Sequence, residues 1–135
     1  MTTYVQAREA LVTAINTDWT ASHPTTKLFY ENTTQIDLDT VGSVFVTVSI
    51  DFVDSVRMEI DEDPVSRTDG EVVFRIFAKD GVGTKGALQI KDFLTDTMKY
   101  RTLAGVETGC PAPGAKRERK GYVSRDLIVP FFFYI

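Results

Sequence analysis

The chain has 135 residues, of which 43% are hydrophobic and 25% charged, with a net charge of -4. That length builds one hydrophobic core and not two, so a single domain spanning the chain is expected. The acidic balance speaks against a dedicated nucleic-acid binder, which carries an excess of Lys and Arg. Cys110 is the only cysteine, which excludes an internal disulfide and a thiolate metal site.

Residues 1–11 carry Arg8 and Glu9 and lack the apolar centre of a secretory signal. The most apolar stretch, residues 127–135, is about half of what a membrane helix needs. The expected place of synthesis is the cytosol, with no membrane partner. A first helix opens on a capping box, because Thr3 and Gln6 stand three apart and can satisfy each other's free backbone N–H groups. Tyr4, Ala7, Leu11, Ile15 and Trp19 follow at helical spacing and form one apolar stripe. His23-Pro24 ends the helix, since the residue before proline is pushed out of the helical region. Residues 27–30 read as a short strand.

From residue 44 to 60 nearly every even position is apolar: Val44, Val46, Val48, Ile50, Phe52, Val56, Met58 and Ile60. This is strand periodicity with one face buried. Only Asp54 breaks the series, which marks a bend or bulge. After a polar connection and a turn at Asp69-Gly70, residues 71–79 form a second strand whose inner face is Val72, Phe74, Ile76 and Ala78. The two strands make an antiparallel hairpin too long for a small core, and its outer half has apolar residues that its own domain cannot cover. A second helix runs from about Thr84 to Tyr100, with Ala87, Ile90, Leu94 and Met98 as its buried stripe. Lys99 and Arg101 suit the negative end of its dipole. Residues 106–109 read as a short strand and residues 111–121 as a loop or hairpin tip. Residues 122–134 read as a last strand with almost no polar alternation, either central or covered by neighbouring subunits. Pro130 fits there only at a bulge or edge. The expected fold class is α+β: a mostly antiparallel sheet of four to five strands with a long hairpin, and two helices packed on one face.

No catalytic residue, metal site or cofactor emerges from these patterns. Gly81-Val82-Gly83-Thr84-Lys85-Gly86 matches the dinucleotide-loop spacing. The strand before it belongs to an antiparallel hairpin, however, and Asp80 puts negative charge where a phosphate would sit, so it reads as a turn into a helix. The acidic residues Asp37, Asp39, Asp61, Glu62 and Asp63 lack the staggered ligands and central glycine of a calcium loop. His23, the only histidine, reads as a surface residue in a turn.

Taken in order, the Trp19 helix, the strand Lys27-Leu28-Phe29-Tyr30-Glu31-Asn32, the strand from Val44 to Ser49, and Gly70-Glu71-Val72-Val73-Phe74-Arg75-Ile76-Phe77 leading into the glycine turn form a recognisable set. With the closing Ile128-Val129-Pro130-Phe131-Phe132-Phe133-Tyr134, it resembles the tail terminator (tail-completion) family of long-tailed bacteriophages over nearly the whole chain. The resemblance implies a virion structural protein, not an enzyme. Such proteins form a hexameric ring on the head-proximal end of the tail tube, stop its polymerisation and present a surface to the head–tail connector protein. The implied partners are further copies of the chain, the tail tube protein and the connector, and genomic DNA passes through the ring without specific binding. Alternatives are another ring protein of the phage neck or a small nucleotide-binding enzyme using the glycine turn. Under the favoured reading, Ile50, Phe52, Val56, Met58, Ile60, Val73 and Arg75 are expected at the subunit interface. Asp61, Glu62 and Asp63 in one loop, and Lys116, Arg117, Arg119 and Lys120 in another, are expected to face tube or connector.

Overall fold

The computed structural model describes residues 2–23, 25–31, 42–57, 65–119 and 121–135. The first helix, α1 (Tyr4–Ser22), starts on the expected capping box. The Gln6 N–H donates to the Thr3 hydroxyl at 3.1 Å and the Thr3 N–H to the Gln6 side-chain carbonyl at 3.0 Å. Ala7, Leu11, Ile15 and Trp19 are buried, whereas Tyr4, at the start of the same stripe, stays 47% exposed. His23 caps the helix, its N–H donating to the Trp19 carbonyl. Its imidazole is half-buried against the rings of Trp19 and Phe93, with centroids 4.9 and 4.7 Å away, so it is not the free surface residue that the sequence suggests.

Seven strands follow around the second helix: β1 (Lys27–Tyr30), β2 (Val44–Arg57), β3 (Ser66–Lys79), then α2 (Lys85–Met98), β4 (Thr102–Leu103), β5 (Val106–Thr108), β6 (Ala112–Arg119) and β7 (Tyr122–Tyr134). They form one curled, half-barrel sheet in the order β1-β2-β3-β7-β5-β4, with β6 also paired to β7. This corrects the expectation of four to five antiparallel strands. The sheet is mixed, because β1 runs parallel to β2 while the other pairs are antiparallel. A parallel neighbour needs a crossover of about a dozen residues, and the chain between Tyr30 and Val44 has that length.

Two of the added strands have plain physical causes. Residues 112–119 show no apolar alternation, yet they pair with β7 through their backbone and close a hairpin at Gly121, where φ is +79°. The β4–β5 hairpin turns at Ala104 and Gly105, both at positive φ, the conformation a two-residue hairpin turn requires. The second strand of the long hairpin also begins earlier than expected: Asp69-Gly70 is strand interior, not a turn. Gly70 lies opposite Phe52 and Phe131, and a Cβ there would run into the Phe131 ring and the Asp51 carbonyl. Glycine is required by packing at this point.

Both helices cover one face of the sheet. Their stripes meet Val46, Val48, Ile50, Val72, Phe74, Ile76, Leu127, Val129, Phe131 and Phe133 in one core. Each large side chain removed from water there contributes roughly 1.5–3 kcal/mol. On the opposite, outer face a smaller aromatic cluster holds the other end of the sheet: Phe45 stacks on Phe77 at 4.6 Å and meets Tyr122 edge-on at 5.4 Å. Pro130 sits between the part of β7 paired with β6 and the part paired with β5. Its carbonyl accepts the Gly109 N–H at 2.8 Å, so its missing donor faces the gap between those strands and breaks no bond to β3.

Candidate assembly surface

The feature that sets this fold apart from a closed core is the far half of β2. Strand β1 covers the edge of β2 only from Phe45 to Val48. Beyond that point, the described residues place no strand beside it. All residues from 51 to 57 are exposed, whereas the facing stretch of β3 is paired on both sides, with β2 and with β7. Free backbone groups on such an edge invite a further strand or a neighbouring surface. Part of this edge is guarded by carboxylates. Glu31 accepts the Ile50 N–H at 3.1 Å and the Ser49 hydroxyl at 3.0 Å, and Asp54 accepts the Ser55 N–H at 2.8 Å.

Apolar side chains stand out on both faces of this edge. A bulge between Phe52 and Asp54 leaves Val53 without a partner residue and 65% exposed. The expected break at Asp54 is therefore real, and it reverses the alternation behind it. Phe52, 38% exposed, lies on the helix face against Tyr4 (4.8 Å), Phe131 and Phe133 (both 5.9 Å). Val56, 46% exposed, lies opposite Arg67 on the outer face. An edge that carries apolar groups on both sides suits a neighbour that wraps around it.

The residues expected at an interface do not all converge here. Phe52 and Val56 do. Ile50 belongs to the core of its own chain at 8% exposure, because the alternation that selected it points its side chain under the helices. Val73 is half-buried and Arg75 exposed, but both lie inside the sheet on β3, away from the β2 edge. The Arg75 guanidinium instead faces Asp126 across the pair at 3.7 Å. Met58, Ile60, Asp61, Glu62, Asp63 and Lys120, with Asp37 and Asp39 of the weighed metal site, fall outside the described residues.

Lys116 and Arg117 are exposed, on the opposite edge of the sheet, and Arg119 ends the same strand. They stand on a strand and not on the loop or hairpin tip expected for residues 111–121. One contributor to this surface carries little sequence signal: Val53, which falls outside the even series. The Asp126 side chain is buried beneath β6, next to Gly114, and its Oδ1 has no hydrogen-bond partner among the described residues.

The glycine motif joins β3 to α2, with Gly81 and Gly83 at φ +86° and +89°. The strand before it is antiparallel to both its neighbours, so the motif does not belong to a parallel βαβ unit. A small cavity of about 170 Å³ beside it is lined by Lys79, Asp80, Thr84, Lys116 and Arg125 among others. A shallower concavity of about 760 Å³ between α1 and the β4–β5 hairpin has Glu9 as the only ionisable side chain of its lining among the described residues. Among the described residues, no three His, Cys, Asp or Glu side chains gather as a metal would require.

No family model matches the chain, and no curated protein matches it either. Among solved structures it is similar to a protein whose name states no function, with a TM-score of 0.67 over 93% of this chain and 94% of that one. Sequence identity over that match is 12%. The likeness is one of fold.

Proposed function

We propose that this chain is a tail terminator of a long-tailed bacteriophage. Copies of it form a ring on the head-proximal end of the tail tube, end tube polymerisation and offer the head–tail connector its docking surface. The family and the hexameric ring come from the resemblance of the ordered sequence elements. The observation that carries the reading is the far half of β2, where Phe52, Val53 and Val56 are exposed on both faces of an edge that no strand pairs among the described residues. Carboxylates and the bulge blunt part of this edge, but the apolar groups left exposed beside them suit a ring subunit that keeps them for the next copy. The net charge of -4 suits a ring through which DNA slides, because it repels phosphates and does not hold them. The protein acts as a structural part of the virion and catalyses no reaction.

The test is negative-stain electron microscopy of purified chain mixed with tail tubes. A ring capping one end of each tube supports the proposal. Binding to head connectors with no association with tubes would instead identify another neck ring protein.

A further inference from the structure

We infer that copies join head to tail through two edges of opposite charge, the far half of β2 in one copy meeting β6 of the next. The inference rests on the ring reading above and names the surfaces that build the ring. On the β2 side, Asp51 pairs across the strands with Glu71, and Asp54 with Asp69. Like charges directly opposite one another destabilise a sheet. Arg67 answers Asp69 at 2.8 Å, but Asp51 and Glu71 have no ion-pair partner among the described residues. With Glu31 beside Ile50, this edge presents carboxylates on both sides of the exposed Val53, and three acids (Glu31, Asp51, Asp54) against the single cation Arg57 that ends the strand.

Strand β6 is the complement. It carries Lys116, Arg117 and Arg119 against the single acid Glu118, in a chain that is acidic as a whole. Lys116 and Arg117 are exposed and have no ion-pair partner among the described residues. Pairing with β7 uses only one side of β6, and the described residues place no strand on the other. An incoming β6 would meet the carboxylates that guard β2 with cations.

The placement of the edges fixes the kind of assembly. They lie on opposite sides of one sheet, so each contact joins two different surfaces, and repeated head to tail it is heterologous. They are also offset along the strands. Arg117 stands level with Ser124, Phe77 and Phe45, while Asp54 is further along β2 by roughly 30 Å at about 3.3 Å per residue. Subunits joined this way close into a ring only if their strands tilt against the ring axis, as strands do in a barrel.

Sedimentation velocity of the full chain at low and high salt tests this. The parent chain self-associates at low salt and less at high salt, because the contact is screened. Asp51→Lys with Asp54→Lys, or Lys116→Glu with Arg117→Glu, weakens association by about tenfold or more. The mixture of the two reversed chains, or the chain carrying all four changes, recovers it. Neutral variants (Asp→Asn, Lys→Gln) with unchanged thermal melting give an intermediate loss and separate charge from folding. A monomer at all salt concentrations overturns the proposal, as does loss on reversal without recovery. Assembly insensitive to every reversal overturns the edge pairing alone, since a ring seen on tube ends would then be built through another face.

Discussion

Substituting Gly70 by alanine tests the long β3 strand at the point where sequence and structure differ most. The added methyl would meet the Phe131 ring and the Asp51 main-chain carbonyl. Phe131 is 2% exposed and is held by Phe52 and Phe133, so it cannot swing aside into water. The carbonyl belongs to the strand next to the bulge and gives little more. Overpacking of a filled core costs about 1–3 kcal/mol, and a tight site with one rigid neighbour belongs in the upper half of that range. Restricting the unfolded chain returns about 0.4–1 kcal/mol, which leaves a net loss of about 2 kcal/mol. For a chain of this size that lowers Tm by about 6–10 °C. Urea denaturation of Gly70→Ala, Phe131→Leu and the double variant reads the effect as a cycle. The double variant should lose about 1 kcal/mol less than the sum of the singles. A Gly70→Ala protein as stable as its parent would show that Phe131 does not pack on Gly70 and would restore the turn at Asp69-Gly70.

Other perturbations separate folding from assembly. Val56→Asp, at a residue 46% exposed, should shift unfolding by no more than about 0.5 kcal/mol and abolish light scattering by assemblies. Val48→Asp, at a residue 1% exposed, should leave no folded protein by circular dichroism, because it buries an unpaired charge. Thr108→Val removes a buried hydroxyl that donates to the Met98 carbonyl and accepts the Arg101 N–H. With two backbone groups at the end of α2 left unpaired, the loss in urea denaturation should be about 2–3 kcal/mol. Burial pushes the Tyr30 phenol up from 10.0 to about 12, against a small downward pull from Arg8. The folded state thus resists ionisation that the unfolded state accepts, so stability is full below pH 10 and is lost as pH rises toward about 12. Tyr30→Phe should flatten that loss and remove a late-appearing phenolate from an ultraviolet titration.

Local signals in the sequence were legible because local contacts decide them. Thr3 and Gln6 form their box within one turn, and Ala7, Leu11, Ile15 and Trp19 line one face by helical spacing alone. Alternation from Val44 to Ile50 is imposed by a core that lies on one side. Signals failed where a distant partner decides. Gly70 is a turn former by type, yet it is glycine because Phe131 packs on it. Residues 112–119 are exposed where their burial is described and so lack periodicity; only their backbone pairing with β7 makes them a strand. The parallel direction of β1 depends on how the chain crosses back, which no periodicity records. At the candidate surface, Phe52 and Val56 were visible as apolar residues beyond the core, and Ile50 was not distinguishable from them. What makes a surface of them, the end of β1 cover at Val48 and the bulge at Val53, exists only in the folded sheet. The opposite charge of the two edges became meaningful in the same way, once residues 116 and 117 lay on a strand.

The most direct measurement of the central claim is tube growth itself. Purified tail tube protein is polymerised with and without this chain, and tube length is followed by electron microscopy over time. A small amount of the chain, enough to cap the ends, is expected to arrest elongation with one ring on each capped end, and Val56→Asp is not. Tubes that grow at the same rate with rings absent, or chain spread along the tube wall, would contradict the claim.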